Sequence, residues 1–443
     1  MTPTVRGAVY AAAAWFAGTL ATFVLANPPE WRGTISVTGR QLEWWLDALP
    51  TGSVIGAALA VPACVALRRA SSLRPAWIAA VVASSVLIAA RIAVPGVRGL
   101  VEVTTLHYAK CVAAGVLLGA AVAAVWLRPF ARFVLVTAVG STFVVAHTAH
   151  AGNEPSVSTL GPPFWWLLIP SLVLAAVCAV LDTAHVTIAA PDRIALQAIA
   201  AVATLAFAHR TLGAWIDGQT ADSELLVWVF IGVCLVLVTA LTEFWARRID
   251  SPFLPAATAV AAAAALVTPQ IARQFALEPW LMVAVGVAAV VAGLSFSVRR
   301  QSPPLGFALL ALIPLTTAID PNLGDGRTWL LARLAVLGLG IGLAFGSTLP
   351  DDGVLASLGL AVPMLSLVFT YVAQSDGAIA IYSGTHERPS STEGGLFGAV
   401  EPYAPVSHLA GVALLLVVLY CALAVRRLAT RPRAVTRKPM SDR

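Results

Sequence analysis

Residues 41–69, QLEWWLDALPTGSVIGAALAVPACVALRR, hold the stretch that decides the fold. From Pro50 to Leu67 no side chain is charged, and the run stops abruptly on Arg68 and Arg69. Wound as an α-helix, such a run reaches nearly across the roughly 30 Å hydrocarbon core of a bilayer. Its paired arginines mark the end expected to stay in the cytoplasm, because Lys and Arg accumulate on that side of membrane proteins.

Thirteen further stretches of this kind flank it. The spans run over 7–26, 50–67, 75–95, 105–126, 131–150, 163–182, 194–215, 224–245, 254–272, 279–297, 304–319, 329–348, 354–373 and 405–425. With the N-terminus inside, the cytoplasmic segments carry eighteen Lys and Arg, the outer loops carry six, and four lie within spans. The acids sort the other way, fifteen outside and seven inside. An even number of crossings with both ends cytoplasmic satisfies this sorting. The inner turn GSTLPDDG (346–353), which has no basic residue, is the one weak link, and twelve crossings are the alternative count.

Composition agrees. Apolar residues make up 59% of the 443 and charged ones 11%, against about a quarter in soluble domains. The apolar runs are continuous and rich in Ala, Val and Leu, unlike the alternating segments of a transmembrane barrel, so the crossings are helices. The expectation is an all-α polytopic protein of the inner (plasma) membrane. The longest outer loops, 27–49 and 374–404, are too short to bury a core of their own.

The same inventory excludes whole classes of function. The basic tail RRLATRPRAVTRKPMSDR (426–443) lacks interleaved aromatics and reads as a juxtamembrane segment near anionic lipid, not as a nucleic-acid site. There is no GxxxxGK[ST] for a nucleotide. Cys64, Cys111, Cys178, Cys234 and Cys421 lie far apart in apolar spans, so they read as small core residues, and neither metal nor cofactor is expected. The pairs Trp44-Trp45 and Trp165-Trp166 fall at headgroup depth and read as interfacial anchors.

Ionisable side chains inside apolar spans are costly and tend to be kept for function. Here they are Arg91, His107, Lys110, His147, His150, His209, Arg210, Arg333 and His408, all in the expected outer halves of their helices. His107 and Lys110 lie three apart, as do His147 and His150, so each pair shares a helical face. Arg91, His150, Arg333 and His408 sit near helix ends and read as interfacial. That leaves Lys110, His107, His147, His209 and Arg210 as candidates for a substrate or proton pathway, the histidines as proton-exchange groups. Asp182 and Glu243, at inner helix ends beside Arg193 and Arg247 or Arg248, read as caps or as inner-gate carboxylates. Pro62, Pro170, Pro314 and Pro363 bend their helices, and Gly338, Gly342 and Gly346 form a face for close helix packing.

Residues 41–69, with Trp44, Asp47 and Ala48 before the second span and Pro62 within it, resemble the entry to the second helix in the fourteen-span drug:proton antiporters of the major facilitator superfamily. HYAKCVAAGVLLGAA (107–121) is similar to that superfamily's fourth-helix pattern, a basic residue five positions before a glycine, met by Lys110, Gly115 and Gly119. The resemblance implies six-helix bundles over 1–190 and 251–426, two linker helices over 191–250, a basic tail over 427–443, and alternating access around a midplane cavity. It adds Asp47 to the pathway candidates and implies export of a hydrophobic or amphiphilic small molecule or lipid. The chain departs from the family after the second helix, where RRASSLRP (68–75) lacks the Gly and Asp of the usual loop motif. It departs again in the fifth span, where Gly140 stands alone in place of Gly-Pro and Gly-Gly, and in the first span, which has no carboxylate. Two other readings stay open. One is a membrane enzyme acting on a lipid-linked substrate through acids such as those of DPNLGDG (320–326); the other is a non-transporting subunit of a cell-envelope assembly.

Overall fold

The computed structural model describes residues 3–27, 39–94, 97, 99–146, 148, 163–182, 191–217, 224–273, 278–321, 323, 326–373 and 407–430. Fourteen helices carry them: α1 Pro3–Ala26, α2 Gly39–Arg68, α3 Arg74–Ala93, α4 Leu100–Val125, α5 Pro129–Val145, α6 Trp165–Leu181, α7 Asp192–Asp217, α8 Glu224–Ile249, α9 Phe253–Arg273, α10 Pro279–Arg299, α11 Pro303–Ile319, α12 Arg327–Thr348, α13 Gly353–Leu365 and α14 His408–Ala429. After a break at Ser366, α13 resumes over 367–373. Eleven helices are long and apolar enough to cross a membrane; α5, α6 and α11 are apolar but only 17 residues each. The protein is therefore an all-helical, multi-pass membrane protein.

The pairing of helices repeats. In the first part α1 packs on α4, α5 and α6, α2 on α4, and α3 on α4 and α6. Adding eight to each number gives the second part: α9 on α12, α13 and α14, α10 on α12, and α11 on α12 and α14. The two sets meet along the seams α2–α13 and α5–α10, which the same shift exchanges. The pair α7 and α8 stands outside the repeat, α7 against α2 and α13, α8 against α9 and α14.

Small residues make these crossings possible. A Cβ added at Gly115 of α4 would collide with the Gly56 carbonyl of α2, and one at Gly119 with the Ala60 carbonyl. In the equivalent pair, a Cβ at Gly342 of α12 would collide with the Val290 carbonyl of α10, and one at Gly293 with the Leu339 carbonyl. Both are backbone-on-backbone crossings of the small-xxx-small kind. The Gly338, Gly342 and Gly346 face does pack closely, and its partner is α10. Apolar residues on one side of α8, among them Val229, Val236 and Phe244, stay exposed, whereas α9 is buried along almost its whole length.

The structure corrects the sequence expectation at several points. Helix α2 begins at Gly39 instead of 50, because Trp45 and Leu49 pack with Leu100 and Val103 of α4 in a small apolar cluster of their own. Hydropathy missed these roughly three turns because Arg40, Glu43 and Asp47 dilute it. The Trp44-Trp45 pair is therefore split: Trp44 is exposed, but Trp45 is buried, its ring edge-on to His107 at 5.9 Å. Trp165 and Trp166 are both exposed, as interfacial anchors are. Two more prolines, Pro50 and Pro269, lie inside helices. All five cysteines are free and buried.

Candidate functional site

Arginine-bearing helix ends gather on one face of the bundle, and the α2–α13 seam is fastened there. Arg68, the last residue of α2, is buried, with Nη1 3.8 Å from the Asp352 carboxylate at the start of α13. At that distance the pair is held by charge and not by a hydrogen bond. Asp352 also caps α13, its Oδ1 accepting from the Val354 N–H at 2.6 Å. Beneath it Cys64 Sγ donates to the Gly353 carbonyl at 3.7 Å, which sulfur's larger radius accommodates. Beside it the Trp126 indole N–H donates to the Pro350 carbonyl at 3.2 Å, and Arg132 lies 3.7 Å from Asp351. The weak link of the topology, the unbalanced acids of GSTLPDDG, thus has its explanation: Asp351 and Asp352 answer arginines of the other repeat.

The predicted inner-gate carboxylates share this face but lie off the seam. Asp182 is buried at the end of α6 and accepts from Arg128 Nη2 at 2.8 Å and from the Trp77 indole at 3.2 Å. Its partner is thus Arg128 and not Arg193, because the turn between α4 and α5 folds under α6, where the Arg128 guanidinium also stacks 3.8 Å over the Tyr10 ring. Glu243 joins α8 to α14, receiving hydrogen bonds from Arg247, Tyr420 and, at 3.2 Å, Arg427.

On the opposite face, one turn of α2 collects two of the pathway candidates. The Leu49 carbonyl is 3.0 Å from His107 Nε2, so that nitrogen carries the proton and donates. Arg210 of α7 donates from Nε to Thr51 Oγ1 at 2.7 Å and from Nη2 to the Asp47 carbonyl and carboxylate at 3.2 and 3.4 Å. The neighbouring His209 turns to α13, buried, with its ring edge-on to Phe369 at 5.4 Å and its Nδ1 without a hydrogen-bond partner among the described residues. One turn further along, a Cβ at Gly213 would meet the Tyr371 ring at 2.8 Å, so α7 lies tight against both α2 and α13. Lys110 is buried deeper on α4. His147 and His150 lie outside the described residues.

Of the four side chains read as interfacial, the three among the described residues divide. Arg91 donates to the Pro163 carbonyl at 3.0 Å and stacks 5.0 Å from the Trp165 ring, and exposed His408 bonds the Ala318 carbonyl at 2.9 Å. Arg333 does not snorkel: it is buried, donating from Nη2 to Thr317 Oγ1 at 2.6 Å and to the Ile313 carbonyl at 3.3 Å. A polar acceptor on α11, one helix away, holds it below the surface. In the DPNLGDG loop, the Leu323 N–H donates to the Asp320 carbonyl at 3.2 Å, a turn, while Asp325 is outside the described residues.

No family model matches the chain, and no curated protein sequence does. Among solved structures it is similar to a bacterial homologue of the human lysosomal transporter Spinster in an inward-facing, unoccupied conformation, with TM-score 0.50 and 13% identity over 97% of each chain. At that identity the likeness is one of fold.

Proposed function

We propose that this chain is a secondary transporter of the major facilitator type, which moves a hydrophobic or amphiphilic small molecule or lipid across the plasma membrane by alternating access. The observation that carries the reading is the repeated pairing scheme with its two interchangeable seams, α2–α13 and α5–α10. Two equivalent half-bundles joined along equivalent seams can rock between two arrangements of similar energy, opening first one face and then the other. The bundles are 1–190 and 251–426, with 191–250 added beside them. Positive-inside sorting makes the arginine-bearing face cytoplasmic. Arg68, Trp126 and Arg132 hold residues 350–352 of the other bundle on that face, so in this reading its opening to substrate requires those contacts to part.

The test is a lock. Arg132→Cys with Asp351→Cys, in reconstituted vesicles loaded with a fluorescent lysophospholipid, joins the two repeats when bridged by a short bismaleimide. Bridging is expected to stop efflux of the probe, with either single variant unaffected by the reagent. Efflux undiminished in the bridged protein would rule out alternating access through this seam.

A further inference from the structure

Two membrane-embedded cations occupy one place in the repeat. Lys110 of α4 stands five residues before Gly115 and nine before Gly119; Arg333 of α12 stands five before Gly338 and nine before Gly342. α12 is the helix that repeats α4, and both cations are buried, at 5% and 4% exposure. In each helix the glycines meet the corresponding seam helix, Gly115 and Gly119 against α2, Gly338 and Gly342 against α10. Five residues of α-helix turn through about 140°, so the cation faces away from the first glycine. Arg333 accordingly reaches Thr317 and Ile313 on α11, the helix that repeats α3, the outer neighbour of α4. Each half thus contains the same unit: a central helix with a buried cation placed five and nine residues before the glycines that meet its seam neighbour. A buried cation is costly in a bilayer. Its recurrence at one position of two otherwise different helices ties it to the position and not to local sequence.

We infer that Arg333 is a positioning residue for the change of access, the second-half counterpart of Lys110. It holds α12 on α11 while α10 shifts across the glycine face, which has no side chains to interdigitate. The inference rests on the transport reading above, and it is tested by a measurement that needs no substrate. Phe130 and Gln301, both exposed at the arginine-bearing face and on opposite repeats, are replaced by cysteine and spin-labelled in lipid vesicles; the five native cysteines are buried. The parent is expected to show two distance populations. Arg333→Gln should keep the thermal unfolding profile but lose the minor population, and Arg333→Lys should restore it. Thr317→Val, which removes only the acceptor, should change the population ratio at least twofold and serves if the Gln variant does not fold. Parent-like populations in Arg333→Gln or Thr317→Val, or a Lys variant as depleted as Gln, would overturn the inference and leave transport standing. A parent with a single distance at both pH 5.5 and pH 7.5 would overturn the transport reading, and the inference with it.

Discussion

Gly115 and Gly232 show how little a residue's type says without its neighbours. Both are helical glycines, yet a Cβ at Gly115 would collide with the backbone of Gly56, whereas one at Gly232 meets nothing within 4 Å. Overpacking a tight contact costs about 1–3 kcal/mol. Gly115→Ala should therefore lower the thermal unfolding temperature in detergent by several degrees, with Gly232→Ala unchanged; equal behaviour of the two would refute a backbone-on-backbone crossing. His107 and Arg333 carry the same lesson. Sequence placed both in apolar spans, with Arg333 read as interfacial, but only the fold shows His107 donating to the Leu49 carbonyl and Arg333 reaching Thr317. Lys110 was legible from its distance to Gly115 and Gly119. Its equivalence to Arg333 is written in the sequence too, but it has meaning only once α4 and α12 are known to correspond.

Helix α2 departs most from a reading by hydropathy. The first turns of α2 carry Arg40, Glu43 and Asp47, which mask a buried edge formed by Trp45 and Leu49. The added helix α7 is joined to α2 mainly through Arg210, whose two kinds of bond differ in worth. Its contact with the Asp47 carboxylate is largely exposed, and such pairs contribute at most about 1 kcal/mol. Its Nε bond to Thr51 is shielded, and leaving such a donor unpaired costs about 1–3 kcal/mol. Thr51→Val should thus destabilise the protein measurably in thermal unfolding and Asp47→Asn hardly at all. The reverse order would show that charge, not the hydroxyl, anchors α7.

For the molecule as a whole, contacts from Arg68, Cys64, Trp126 and Arg132 to residues 350–353 join the two repeats on one face. Asp352→Asn keeps an acceptor for the Val354 N–H but removes the charge facing Arg68. The expected result is easier opening of this face, and Cys64 is a built-in reporter, buried beneath the fastening with its thiol on the Gly353 carbonyl. Its labelling by N-ethylmaleimide should rise severalfold in Asp352→Asn, with Cys64→Ala as the blank. Unchanged labelling would mean that Arg68 and Asp352 do not control the opening.

The sequence by itself determined that the chain is a bundle of membrane-crossing helices with sorted ends, because hydropathy and the placement of Lys and Arg are properties of single segments facing lipid and water. The glycine face was legible for the same reason, since a helix fixes which residues share a side, whereas Lys110 was singled out by the resemblance to a fourth-helix pattern. Only the tertiary structure decided which helices pair and that the pairing repeats after eight. The same holds for Asp351 and Asp352 pairing across the seam with Arg132 and Arg68, while Asp182 and Glu243 stand aside. The Arg132–Asp351 and Arg68–Asp352 pairs join residues more than two hundred positions apart, and a bilayer treats every apolar helix alike, so only close packing of particular surfaces selects the partner.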